Sequence, residues 1–322
     1  MIRISAHAVR AYAPASIGNF AVGFDLLGAA LAPLDGSLLG DQVIVAPAVA
    51  DCFCVEGPFA DRLAGETKQN LVLRACDLFR EKLAEQGQVC PPCAITLEKH
   101  LPLNSGLGSS GSSIVATLVA LQAFCGEPLS RTELLELAAQ AEGTYSGEAI
   151  LDNVASSLLG GLQMLVPGEF GPTLRALPWP EELLLVVVRP EFELPTVQSR
   201  AVLPESLSLA EAVAFGGNLA AFVHALHTRD RRLLTRCIQD LVAEPHRAAL
   251  VPGFEAAKRG ALGAGALGCS LSGSGPSMFA VADSEVHAGL IAEAIRRAFQ
   301  AVDLDCHAWI CGLDPLGARV LA

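Results

Sequence analysis

Basic residues are scarce in this chain. Twenty-two Lys and Arg stand against 34 Asp and Glu, a formal net charge of −12, and nowhere do they form a block suited to a polyanionic backbone or an anionic bilayer. Nucleic acid and membrane are therefore not expected partners. Any phosphate the chain binds must be neutralised largely by backbone N–H groups and a divalent metal. Long apolar runs are missing as well: none nears the roughly 20 residues that span a bilayer, and the strongest, residues 183–188, has the length of a strand. No apolar stretch of the kind a secretory signal needs precedes Tyr12, so the expected setting is the cytoplasm. A zinc ligand set is absent too. The ten cysteines are scattered and often flanked by apolar residues, which reads as reduced thiols packed as small hydrophobes. One CxxC, Cys90 to Cys93, has no second ligand pair at zinc spacing. His224 and His227, three apart, have no acidic ligand in register.

What is present is apolar bulk. With 322 residues, 52% hydrophobic and only 17% charged, the chain has enough for one large domain or two intimate ones. Residues 41–46, 93–97, 162–166, 183–188 and 278–282 read as strands. Residues 70–86, 130–142, 207–228, 229–243 and 285–299 read as helices, and 112–125, apolar nearly all round, as a buried helix. Ser130 with Glu133 three residues on spells a capping box, and Gly143 a stop. Strands and helices mix without a regular βαβ alternation, which argues for an α+β fold of two packed lobes with a soft boundary near 165–180.

Residues 102–113 read PLNSGLGSSGSS between a strand and the buried helix. Glycines let successive N–H groups converge and a helix N-terminus adds positive partial charge, an anion site suited to phosphate. The serine hydroxyls suit phosphate oxygens or a magnesium ion. Gly106, Gly108 and Gly111 also spell GxGxxG, but a dinucleotide fold needs a second strand after the helix. Here Gly126-Glu127-Pro128 and another helix follow. A Walker A loop needs GK[ST], and no lysine is present; the HRD and DFG of protein kinases are missing too. The remaining alternative is a Gly/Ser turn that binds nothing.

The PxxxGLGSS pattern resembles the ATP-binding loop of the GHMP small-molecule kinases. Residues 13–28 (APASIGNFAVGFDLLG) resemble the N-terminal motif of the family's homoserine-kinase branch, and residues 270–277 (SLSGSGPS) its C-terminal glycine-rich motif. Asp152-Asn-Val-Ala155 and Ala243-Glu-Pro-His-Arg247 agree in the same order. The resemblance implies a two-lobe fold, with a ribosomal-protein-S5-domain-2-like lobe over 1–168 and a ferredoxin-like lobe over 169–322. It implies ATP and Mg2+ as cofactors, L-homoserine as acceptor, and a possible homodimer.

Carried over residue by residue, the resemblance assigns ATP to Pro102, Leu103, Asn104, Ser105, Gly106, Leu107, Gly108, Ser109, Ser110, Gly111 and Ser112, with Asn70 at the adenine. Asn70 also reads as an ordinary helix cap. Ser110 and Glu142 are assigned the metal, and the acid at a helix C-terminus opposes the dipole, which favours a functional reason for Glu142. Asn19, Asp25, Asp152, Asn153, Thr196, Arg200 and Arg247 are assigned the acceptor. Arginine grips a carboxylate through two parallel hydrogen bonds, and Asp25 suits an ammonium. Asn153 and Arg247 are assigned to catalysis, Asn153 holding the acceptor hydroxyl. Departures from the branch lie at Glu148, at Ile150-Leu151 where a histidine is common, at Ser156 and at Gly111. They leave open a kinase for another small alcohol, and a silent nucleotide-binding homologue is the further alternative.

Overall fold

The computed structural model describes residues 4–63, 70–146, 151–168 and 173–321. The chain opens with β1 (Val9–Pro14), β2 (Ser16–Gly18), β3 (Leu27–Pro33), β4 (Gly40–Pro47), β5 (Cys52–Glu56), α1 (Leu71–Glu85) and β6 (Cys93–Glu98). Three helices follow, α2 (Ser109–Phe124), α3 (Arg131–Ser146) and α4 (Leu151–Leu159), then β7 (Leu162–Val166), β8 (Thr173–Leu177) and β9 (Leu184–Pro190). Next come α5 (Thr196–Ala201), α6 (Leu209–Thr228), α7 (Arg231–Cys237), α8 (Glu244–Arg247) and α9 (Phe254–Gly263). The chain ends with β10 (Gly268–Leu271), β11 (Met278–Ala282), α10 (Glu285–Gln300), β12 (Cys306–Leu313) and β13 (Arg319–Leu321).

Two sheets result, as an α+β two-lobe fold requires. A five-stranded sheet runs β13-β1-β4-β6-β5, and an eight-stranded one β10-β11-β9-β12-β3-β7-β8 with β2 on β3. Pairing is antiparallel throughout except between β5 and β6. The first sheet buries Val43, Val45, Ile95 and Leu97 against α1, α2 and α3 through Val72, Phe79, Ile114, Leu121 and Leu137. In the second sheet β9 is buried on both faces. Leu185 and Val187 meet Phe222 and Leu226 of α6, while Val186 and Val188 meet Phe254 of α9 and Ile291 and Ile295 of α10. Alternate residues of a strand point to opposite faces, so an unbroken apolar run can fill two cores.

Several local expectations change. The buried helix starts at Ser109, inside the glycine/serine loop. Ser130 and Glu133 do form the capping box, the Glu133 N–H donating to Ser130 Oγ and the Ser130 N–H to Glu133 Oε2. Gly143, however, does not end α3, which continues to Ser146; a helical glycine costs only about 1 kcal/mol relative to alanine. The helix expected over 229–243 shrinks to α7, because Asp240 turns the chain by accepting from the N–H groups of Val242 and Ala243. Helix α6 is, by length and composition, long and apolar enough to cross a membrane. Glu148 and Ile150 lie outside the described residues.

Candidate active site

Three segments far apart in sequence meet where the two sheets approach. Ser105 and Gly106 of the glycine/serine loop pack on residues 270–277. The Ser277 N–H donates to the Ser105 carbonyl, and Ser272 Oγ to that of Gly106 at 2.6 Å. The N-terminal motif closes the third side: the Gly273 N–H donates to the Gly18 carbonyl, and Asn19 Nδ2 to that of Gly273. Two glycines make this fit possible. Gly106 (φ +76) would put a Cβ 2.4 Å from the Ser272 carbonyl oxygen, and Gly108 (φ +64), the cap of α2, one 2.1 Å from Ser16 Oγ. A side chain at either place collides while holding an unfavourable left-handed backbone.

Between these segments lies a cavity of about 350 Å3. At one end the loop offers Ser105, Gly106, Gly108, Ser109 and Ser110 along the N-terminus of α2, beside Asn104 and Leu103. Pro102, Leu107, Gly111 and Ser112 do not line it. Ser112 is buried and works structurally, donating to the Ala13 carbonyl and accepting from the Asp41 N–H, while Gly111 faces Val154 of α4. Asn70 caps α1, its Oδ1 accepting from the Val72 N–H, and it also lines the cavity.

Glu142, on the last turns of α3, is 9% exposed and accepts from Ser110 Oγ at 2.8 Å. Burial raises its carboxyl from the usual carboxylate range to about 7, with Asp152 adding to the effect and Ser110 and Lys99 opposing it. A carboxylate kept out of water beside a hydroxyl at the phosphate end suits a hard cation, which would hold it ionised. No set of three His, Cys, Asp or Glu side chains converges on a metal among the described residues. Ser110 and Glu142 therefore fit a magnesium ion that takes its other ligands from phosphate and water, the usual arrangement for that metal.

At the other end Asp152 is 1% exposed. Its oxygens accept from the backbone N–H of Asn19 (2.9 Å) and from the N–H (2.7 Å) and Nδ2 (3.0 Å) of Asn153. Burial first, then the charge of Asp25, raises its carboxyl to about 6. Asn153 accepts from Ser16 Oγ at 2.8 Å. Thr196 opens α5 and Arg200 lies in its last turn. Arg200 Nη2 lies 3.1 Å from both oxygens of Asp25, so the two groups expected at opposite charges of an acceptor hold each other. Arg247, 2% exposed, donates to the carbonyls of Ser199 and Gly273 and lies over the Phe24 ring. Burial and the charge of Arg200 push its guanidinium below the usual value.

One feature was missed by sequence reasoning. Lys99, 1% exposed, lies beneath the first turn of α2 and donates to Asp41, to the carbonyl and Oγ of Ser109, and to Ser113 Oγ. Asp41 is fully buried and also accepts from the N–H groups of His100 and Leu101. This network fixes the phosphate end from behind. The signal in the sequence is a lysine three residues before Pro102, but its partner Asp41 is 58 residues away and invisible to spacing. Replacing Lys99 by Met strands Asp41 as an unpaired buried charge. Urea denaturation is expected to show a loss of about 3–5 kcal/mol, most of it recovered in the Lys99→Met, Asp41→Asn double variant.

The geometry agrees with comparison to known proteins. Residues 70–161 match the GHMP kinases N terminal domain, and residues 222–301 match GHMP kinases C terminal. The crystal structure of homoserine kinase from Cytophaga hutchinsonii superimposes with a TM-score of 0.89 at 33% sequence identity, covering 100% of this chain and 99% of that one. Mevalonate kinase from L. major, solved in complex with R-mevalonate, shares the fold at 17% identity and a TM-score of 0.69, with coverage of 98% and 99%. Phosphomevalonate kinase from Streptococcus pneumoniae does so at 13% and 0.67, with coverage of 94% and 98%.

Proposed function

The chain belongs to the GHMP kinase family, and from that premise we propose that it is a homoserine kinase, transferring the ATP γ-phosphate to the side-chain hydroxyl of L-homoserine. The observation that carries the reading is the meeting of Arg200, Arg247, Asp25 and Asn19 in one cavity, opposite a glycine/serine loop at a helix N-terminus. Two guanidinium groups beside the Asp25 carboxylate, with Asp152 committed to three N–H groups, complement a free amino acid, with its carboxylate and ammonium, better than mevalonate or a sugar, which carry no ammonium. The same reading takes 1–168 as the nucleotide lobe and 169–322 as the C-terminal lobe, with β2, β3, β7 and β13 crossing between their sheets. It also sets the enzyme in the cytoplasm with ATP and the amino acid as its partners.

ATP and Mg2+, when bound, supply the phosphoryl group and the charge that draws its oxygens together. Ser110 and Glu142 hold the metal, and the N–H groups of the loop take the phosphates. Arg200 and Arg247 fix the acceptor carboxylate, and Asp25, released from Arg200, takes the ammonium. Asn153 orients the hydroxyl. The hydroxyl oxygen attacks the γ-phosphorus, the bond from phosphorus to the β–γ bridging oxygen breaks, and the hydroxyl proton passes to the transferred phosphoryl group. No side chain need act as base in this scheme. Asp152, already accepting three N–H groups, positions Asn19 and Asn153. Asp152→Asn should therefore lower kcat less than ~10-fold; a drop of ~10²-fold or more with KM unchanged assigns it general-base work instead.

The test is a coupled ADP-release assay with homoserine, mevalonate and galactose as alternative acceptors. Turnover with homoserine at least ~10²-fold above the others is expected. Turnover with mevalonate but not homoserine overturns the reading, and ATP binding with no turnover on any acceptor points to a nucleotide-binding homologue.

A further inference from the structure

Residues 19–21 form a left-handed turn without a glycine. Asn19, Phe20 and Ala21 hold φ values of +64°, +44° and +60° in succession. Such backbone is costly because Cβ crowds the following carbonyl oxygen; asparagine tolerates it, phenylalanine and alanine do not. The turn is closed by the Gly23 N–H, which donates to the Asn19 carbonyl at 2.9 Å. Among the described residues eight non-glycine residues have positive φ, and four of them, these three and Asp25 (φ +55), fall within seven positions. A fifth, Asn104, lines the same cavity as Asn19 and Asp25. Strain gathered around a cavity points to a use for it.

The Phe20 ring holds the turn in this form. It is fully buried, stacks on Phe279 of β11 with centroids 5.1 Å apart, meets Trp179 edge-on at 5.1 Å, and lies 6.2 Å from Phe222 of α6. Phe222 and Phe279 belong to the core between the eight-stranded sheet and α6, Trp179 packs against it, and Ala21 and Val22 enter it beside the ring. A return to right-handed backbone at Phe20 swings its Cβ and withdraws the ring, so burial of the aromatic offsets the backbone cost. The other side of the turn faces the site. The Asn19 N–H donates to Asp152 Oδ2 and its Nδ2 to the Gly273 carbonyl, while its Oδ1 accepts from the Asp25 N–H. Asp25, held in this way, meets Arg200. Phe20, Ala21 and Trp179 do not line the cavity.

We infer that Phe20 is a positioning residue for the acceptor: its ring, seated among Trp179, Phe222 and Phe279, keeps residues 19–21 left-handed and so sets Asp25, through Asn19, where the substrate's ammonium binds. This rests on the reading of the site as that of a homoserine kinase. The acceptor end is then built from the N-terminal motif but braced by the core of the eight-stranded sheet. The phosphate end has a separate brace in Lys99 and Asp41. Loosening the ring disturbs one substrate and spares the other.

Steady-state kinetics and thermal unfolding of the full chain test this. Phe20→Leu should lower kcat/KM for homoserine by ~10–10²-fold, mainly through KM, with the KM for ATP within ~2-fold of wild type. Trp179→Leu, which removes a partly buried ring behind Phe20, should show the same split in smaller measure. Ala21→Gly alone should leave Tm at or above the wild-type value although it deletes a buried methyl, because glycine takes left-handed backbone freely. A clear fall in Tm would show that no strain is held there and overturns the proposal. Added to Phe20→Leu, Ala21→Gly should restore several-fold of the lost kcat/KM, since the turn then needs less bracing; a ring that merely filled the core gains nothing from a glycine. Should Phe20→Leu fail to fold, Trp179→Leu with and without Ala21→Gly makes the same comparison. Equal losses with homoserine and ATP, or wild-type homoserine kinetics in the ring variants, overturn the proposal and leave the homoserine reading standing. A wild-type enzyme idle on homoserine overturns both.

Discussion

Glu142→Gln is expected to lower kcat by ~10²–10³-fold and, at the same time, to make the protein more stable at pH 8. The first effect follows if, as proposed, this carboxylate holds the metal that stabilises charge on the transferring phosphoryl group. The second follows from burial. In the folded chain burial pushes the carboxyl up from its usual 4.5 to about 7, so the unfolded chain releases its proton first as pH rises. Stability from this group is therefore intact below about pH 4.5, is lost progressively up to about pH 7, and stays lost above. A shift of that size is on the order of 3 kcal/mol. The amide carries no charge and escapes the cost, so the gain in unfolding free energy should be absent at pH 4 and present at pH 8. Urea melts at the two pH values check it; a variant equally destabilised at both would contradict the assignment. Within the wild type, Mg2+ competes with that proton, so magnesium affinity should weaken as pH falls through about 7.

Arg200→Met should lower kcat/KM for homoserine by ~10²–10³-fold while changing the KM for ATP only a few-fold. Truncating one member of a close charge pair costs about 2–5 kcal/mol, and here Arg200 does two things. It is paired with both oxygens of Asp25, and its charge holds Asp152 down against the pull of Asp25. Arg200→Lys should recover little of the rate, because an ammonium lacks the planar fork. Equal losses with homoserine and with ATP would show that Arg200 supports the fold rather than the acceptor.

Much of the architecture was legible because it is written locally. Strands β7 and β11 fall where short apolar runs between turn residues (Gly160-Gly161 before β7, Asp283-Ser284 after β11) leave few other options. The turn of the glycine/serine loop was readable for the same reason: its glycines sit where the backbone must be left-handed, as at Gly106 and Gly108. What escaped was non-local. That β13 would pair with β1, more than 300 residues away, or that Asp41 would lie under Lys99, depends on how the sheets stack, which no window of sequence encodes. The helix that starts at Ser109 rather than Ser112 was misplaced because serines read as loop, although a helix N-terminus is where they satisfy free N–H groups. The acceptor end was legible by residue type but not by pairing. Asp25 and Arg200 were each expected at a substrate charge, and here they also hold each other.

The central claim is that this chain makes a phosphomonoester of homoserine. 31P NMR of a reaction containing the enzyme, MgATP and L-homoserine tests it most directly. The predicted result is loss of the γ-phosphate resonance matched by a new phosphomonoester signal split by the two side-chain CH2 protons. Inorganic phosphate alone, or an unchanged ATP spectrum in the presence of homoserine, would contradict the account.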